Sequence, residues 1–170
     1  MKRAGEVDGL VHALADRRPR VRCRAAEALG QLGAVEAADD LVEVLEDEQD
    51  WLARRCLVSA LNDLGDERAL EPALAGLRAL EADERLPGGG DEDAYWVGRD
   101  AGRVRSPELV ERLGELALDD RWIVRLGAAY ALAVAQDERS EETLRALIDD
   151  PDFNVREAAK EGLEERKSPP

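Results

Sequence analysis

The chain has 170 residues, 44% of them hydrophobic but only 4% aromatic, which is enough for one domain whose core must be built from small and aliphatic side chains on closely packed helices. Its 39 acidic against 24 basic residues give a net charge of -15, which argues against a nucleic-acid backbone or an anionic membrane as the main partner. Only Lys2, Lys160 and Lys167 are lysines; an Arg bias among so many carboxylates fits a halophilic protein adapted to high intracellular salt, with a GC-rich genome as the plainer explanation.

In chain order, the first predicted element is an amphipathic helix with Val7, Leu10, Val11 and Leu14 on one face. Asp16-Arg-Arg-Pro19-Arg-Val21-Arg22 then leads into a second helix carrying Ala25, Ala26, Ala28, Leu29 and Leu32, stopped at Gly33. A third helix follows with Val35, Ala38, Leu41, Val42 and Leu45. Glu48-Gln-Asp-Trp51-Leu-Ala53-Arg54 introduces a fourth, with Leu57, Val58, Ala60, Leu61 and Leu64, stopped at Gly65. Leu70, Ala73, Leu74, Leu77 and Leu80 mark a fifth.

The stretch Glu84-Arg-Leu-Pro87-Gly-Gly-Gly90-Asp-Glu-Asp93 is rich in turn residues and carboxylates and reads as an insertion, either a surface loop or a hinge or partner-binding element beside Tyr95 and Trp96. Beyond it, Asp93-Ala-Tyr-Trp96-Val-Gly98-Arg99 opens a helix expected to end near Val104, with Arg103, Arg105 and Ser106 at positions that are aliphatic elsewhere. Pro107 starts the next helix, with Leu109, Val110, Leu113 and Leu116. Asp119-Asp-Arg-Trp122-Ile-Val124-Arg125 precedes Ala128, Ala129, Ala131, Leu132 and Ala135; Leu144, Leu147 and Ile148 form another helix. Asp150-Pro-Asp-Phe153-Asn-Val155-Arg156 begins the last, where Lys160 and Arg166 replace apolar residues and mark a solvent-facing cap.

Five segments thus share one frame: an acid, three residues on a Pro or aromatic, three residues further an Arg. The Arg residues are 32 apart from Arg22 to Arg54 and 31 apart from Arg125 to Arg156, but 45 from Arg54 to Arg99 and 26 from Arg99 to Arg125. The third copy therefore reads as irregular, lengthened before its second helix and shortened after it. Each repeat is a helical hairpin that cannot cover its own apolar faces, so the hairpins must stack.

Segments such as Val21-Arg22-Cys-Arg-Ala-Ala-Glu-Ala-Leu-Gly and Leu64-Gly-Asp-Glu-Arg-Ala-Leu-Glu-Pro-Ala-Leu resemble the short HEAT-like repeats of the phycobilin-lyase type. The resemblance implies an all-α fold, an armadillo-like α-solenoid coiled as a right-handed superhelix of about five HEAT-like hairpins. The expected organisation is a single domain over 1–167, with repeats near 5–33, 35–65, 67–105, 107–136 and 138–166 and a tail at 168–170. It also implies a binding scaffold, and less directly a lyase-type subunit that handles a tetrapyrrole chromophore with a partner chain.

Little in the residues points to chemistry. His12 is the only histidine, so a nucleophilic triad or His-ligated metal would have to recruit it from the first helix. Gly88-Gly-Gly90 is followed by Asp rather than Lys-Ser or Lys-Thr, so it is no phosphate loop. Cys23 and Cys56 lack metal-ligand spacing and read as free thiols of a cytoplasmic protein. No signal peptide is expected, and the longest apolar run, Ala128 to Ala135, is too short to span a bilayer. No catalytic, cofactor or metal residue is expected.

Charge is sorted by helix. Segment 35–48 carries seven acids and no base, whereas segment 19–33 sets Arg20, Arg22 and Arg24 against Glu27, and segment 122–135 carries only Arg125. First helices should be acidic and second helices mildly basic. The repeat Arg can pair with the acid six residues before it or with that of the adjacent repeat; instead or at the same time, Arg22, Arg54, Arg99 and Arg125 form a column on the concave second-helix face that docks acidic segments of a protein partner. Trp51, Trp96, Trp122 and Phe153 are expected to pack at the turn between helices. Tyr95, Trp96 and Tyr130 join the candidate partner-binding residues, Tyr130 because its counterparts Glu27, Ser59, Val104 and Glu161 are mostly polar. The expected function is a non-catalytic adaptor.

Overall fold

A computed structural model describes residues 2–81, 90–135 and 137–166. Among them are ten α-helices and no strand: α1 (Lys2–Leu14), α2 (Pro19–Gln31), α3 (Ala38–Asp47), α4 (Trp51–Leu64), α5 (Leu70–Arg78), α6 (Asp91–Ala101), α7 (Leu109–Leu116), α8 (Trp122–Val134), α9 (Glu138–Leu147) and α10 (Phe153–Glu165). The fold is all-α, of the α-solenoid class. The chain forms two compact units, residues 1–72 and 73–170, with the boundary inside α5.

Within 1–72, α1 packs on α2 and α3 on α4, and the second helices α2 and α4 make the most extensive pairing. Leu14, Ala26, Leu29, Leu41, Ala53, Leu57 and Leu61 are fully or nearly fully buried between them. At the crossing, a methyl on Gly30 would meet the Ala60 Cα at 3.0 Å, so this glycine lets two backbones touch. Asp50 caps α4 by accepting the Leu52 and Ala53 N–H groups, and Gly65 ends it with φ 73°, the left-handed conformation expected of the stop residue.

Within 73–170, α8 is the central element, packed against α6, α7, α9 and α10. It is apolar nearly all round, with Ile123, Val124, Leu126, Ala128, Ala129, Ala131 and Leu132 buried, because neighbours cover it on every side. Gly98 and Gly102 of α6 lie so close to α8 that a methyl would collide with the Gly127 and Ala131 carbonyl oxygens, respectively.

Several expectations need correction. Helix α6 is intact and begins at Asp91, thirty-one residues before Trp122 opens α8, the same step that separates Trp122 from Phe153 at the start of α10. Glycine contacts repeat this register, Gly98 meeting Gly127 and Gly162 meeting Ala133. The structural counterpart of Trp122 is therefore Asp91, that of Arg125 is Ala94, and that of Tyr130 is Arg99 rather than Val104. The frame at 93–99 is a coincidence five residues out of register, and nothing is shortened after it: α6 ends at Ala101, leaving Arg103, Arg105 and Ser106 in the connection to α7. That helix starts at Leu109, two residues after Pro107.

The expected insertion at 84–93 falls mostly on residues 82–89, outside the described residues, as does the tail at 168–170; Asp91, Glu92 and Asp93 form the first turn of α6 after Gly90, whose φ is 99°. The aromatics of the frame are not buried at the turns. Trp51 is 60%, Trp96 47% and Phe153 63% exposed, and only Trp122, at the start of α8, is half-buried. Finally, Cys23 and Cys56 are not free thiols but a disulfide between α2 and α4. One repeat of separation brings their Cα atoms to 5.1 Å on neighbouring helices, inside the range a bridge requires; spacing along the chain concealed this.

Candidate functional site

Four of the five frame Arg residues, all but Arg99, donate to the backbone carbonyl six residues before them: Arg22 to Asp16 at 2.8 Å, Arg54 to Glu48 at 3.4 Å, Arg125 to Asp119 at 2.8 Å and Arg156 to Asp150 at 2.7 Å. The target is the main chain, not the acid side chain. Two of them also reach the acid of the following repeat through both prongs of the guanidinium. Arg22 binds Glu48 through Nε at 2.6 Å and Nη2 at 2.7 Å, and Arg125 binds Asp150 at 2.8 and 2.9 Å.

The same carboxylates accept the N–H two residues on, Asp50 for Glu48 and Asp152 for Asp150, so one acid closes its own turn and anchors the previous repeat. The Arg22 hydrogen bond holds the Glu48 carboxyl below its usual range against the opposing effect of burial, and burial at Asp150 is likewise overridden by Arg125. Arg54 donates instead to the Leu45 carbonyl at 3.1 Å.

A second motif was missed in the sequence although its signal, Asp-x-Arg, recurs there. Asp16, Asp66, Asp119 and Asp137 each accept the backbone N–H and the guanidinium of the Arg two residues on, Arg18, Arg68, Arg121 and Arg139. These hydrogen bonds pull all four carboxyls below the normal range. Asp119 uses Arg121 in this way where Ala94 supplies no repeat Arg.

The candidate partner-binding residues therefore separate into two groups. Arg22, Arg54 and Arg125 are half-buried and engaged inside the repeats. Tyr95, Trp96, Arg99 and Tyr130 come together on α6 and α8. The Tyr95 ring meets those of Trp96 and Tyr130 edge to face, each at 5.1 Å, and the Arg99 guanidinium lies 5.5 Å over Tyr95. Arg99 also pairs with Glu165 at 3.3 Å, both partly exposed. Burial, then the nearby Glu161 and Asp91 carboxylates, push the Tyr130 hydroxyl pKa up. Burial likewise raises that of Asp91, whose Oδ1 lies out of solvent without a hydrogen-bond partner.

The expected charge sorting holds for α2 and fails for α6 and α10, which carry four acids against Arg99 and four against Arg156 and Lys160. The aromatic group thus sits in acidic surroundings rather than on a basic column. No described helix is long and apolar enough to cross a membrane.

The family model of HEAT repeats matches residues 7–86 and 91–169. Among solved structures, the complex of CpcE and CpcF of phycocyanin lyase from Nostoc sp. PCC7120 is similar over 94% of this chain and 98% of that chain, with a TM-score of 0.62 and 19% identity. Human deoxyhypusine hydroxylase in complex with glycerol covers 96% of this chain and 85% of its own, with a TM-score of 0.39 and 18% identity. A designed armadillo repeat protein gives 95%, 82%, 0.42 and 20% for the same measures. At these identities the first likeness speaks for fold alone, and the two lower scores carry no weight. No curated protein matches the sequence.

Proposed function

This chain belongs to the HEAT-repeat family, and we propose that it is a non-catalytic adaptor that holds a protein partner on its second-helix face. The observation that carries the reading is the cluster of Tyr95, Trp96, Arg99 and Tyr130, in which 47% of Trp96 remains exposed. Aromatic and Arg side chains are the residues that dominate protein interfaces, and Arg99 and Tyr130 share a repeat position that the other repeats fill with Glu27, Ser59 and Glu161. Acidic segments of the partner would meet Arg99, whereas Arg22, Arg54 and Arg125 serve the repeat itself. Under this reading the five hairpins act as one domain over 1–167 in the cytoplasm.

Capture from extract of the native host, at matched salt, compares wild type with Trp96→Ala plus Arg99→Glu. Loss of a partner with unchanged far-UV circular dichroism is expected; an identical set of captured proteins would refute the docking face. The second reading, a phycobilin-lyase-type subunit acting on a tetrapyrrole with a partner chain, draws on the likeness to the CpcE and CpcF complex. Bilin transfer to an acceptor protein in a reconstituted mixture would favour it over the adaptor.

A further inference from the structure

Cys23, Glu27 and Cys56 place two sulfurs and a carboxylate oxygen within 4.8 Å of one another on the facing sides of α2 and α4. Both cysteines are buried, whereas Glu27 is half-exposed and lies at the solvent edge of the group. Glu27 Oε1 is 3.8 Å from Cys56 Sγ, and Oε2 accepts from Arg24 at 2.8 Å, so the oxygen nearest the sulfur is not the one held by Arg24.

We propose that the reduced form of this pair is a metal site: Cys23, Cys56 and Glu27 hold one thiophilic divalent cation of the zinc type, with water completing a four-coordinate shell. Two thiolates and a carboxylate are a donor set that such ions accept, at about 2.3 Å for sulfur and about 2.0–2.2 Å for oxygen. A tetrahedral ion at that range sets its two sulfurs about 3.7 Å apart, and the Cα separation of 5.1 Å permits this by side-chain rotation without moving either helix.

The oxidised and metal-bound forms exclude each other. Two molecules of a small thiol reduce the bridge, supplying two electrons and two protons and leaving joined as their own disulfide. Binding the cation to the resulting dithiol then releases those two protons. In a reducing compartment, where disulfides do not persist, metal would thus take over the link between the first two second helices.

Cobalt(II) is the probe. The full chain, reduced with a phosphine and kept anaerobic, should bind one Co2+ with a near-ultraviolet thiolate-to-cobalt absorption band, and Zn2+ should displace it. The oxidised chain and Cys56→Ser should give no band. Glu27→Gln, at a half-exposed position and with its fold checked by circular dichroism, should weaken binding by about tenfold or more. A reduced chain without the band, a band in the oxidised chain, or full affinity in Glu27→Gln would each overturn the site.

Discussion

Replacing Arg125 by Met tests whether the repeat Arg ties one hairpin to the next. The substitution keeps most of the apolar stem and removes a guanidinium that spans Asp150, 25 residues downstream, and the Asp119 and Asp120 carbonyls. The two side chains of the pair are 13% and 5% exposed, so the change leaves a carboxylate and two carbonyls short of a donor in a partly dry setting. A fully buried ion loses about 3–5 kcal/mol when its partner is removed; Asp150 keeps the Asp152 N–H, which places the expected loss at about 2–3 kcal/mol.

For a chain of this size that corresponds to a fall in Tm of about 4–12 °C. Arg121→Met is the control, because Arg121 makes a similar bidentate contact to Asp119 but is 50% exposed, where such pairs contribute about 0–1 kcal/mol. Thermal and urea melts of Arg125→Met, Asp150→Asn and the double variant complete a cycle, in which the coupling should be about 1–2 kcal/mol. If Arg125→Met falls no further than Arg121→Met, or the cycle shows no coupling, the staple is ornamental and the reasoning fails.

Other outcomes follow from the same structure. Gly98→Ala should lower Tm, because its methyl would strike the Gly127 carbonyl and sit 2.8 Å from Tyr130 Cβ, whereas Gly9→Ala in α1, with open space around it, should gain about 0.5–1 kcal/mol from helix propensity; equal effects on melting would contradict the packing. The carboxyls of Glu48, Asp66, Asp119, Asp137 and Asp150 are held below their unfolded values, so the unfolded chain binds more protons in acid. Their stabilisation is complete above an unfolded pKa of about 4 and is lost as pH falls below it, so Tm should drop between about pH 4 and pH 2; a Tm that rises over that interval would reverse the sign. With a net charge of -15, raising KCl from about 0.1 to 1 M shortens the screening length from about 10 to 3 Å and should raise Tm; an unchanged melt would remove salt adaptation from the account.

The fold was legible because its signals are local and repeated. The apolar spacing of Leu57, Val58, Ala60, Leu61 and Leu64 fixes a helix face, and Gly65 fixes its end, with no knowledge of the neighbours. What escaped depends on registration between helices. The acid, aromatic and Arg at 93, 96 and 99 satisfy the frame by chance, and only the seating of Gly98 on Gly127 shows that Asp91 and Ala94 occupy the true positions. Cys23 and Cys56 sit one and two residues beyond their frame Arg, a hint of adjacency that chain separation outweighed.

The candidate site was half legible. Tyr130 was identifiable as a departure from the repeat, and Tyr95 and Trp96 by their place beside the 84–93 stretch, but the frame Arg could be read as a staple, as a docking column or as both. Only hydrogen-bond geometry decides that for Arg22 and Arg125, whose forks close on Glu48 and Asp150.

Site-specific crosslinking from position 96 tests the adaptor reading most directly. With Trp96→p-benzoylphenylalanine on α6, irradiation in native extract should yield a discrete crosslinked protein that is absent when the same group replaces exposed Glu142 on α9. Identical products from both positions, or none from position 96, would contradict a partner held on the second-helix face.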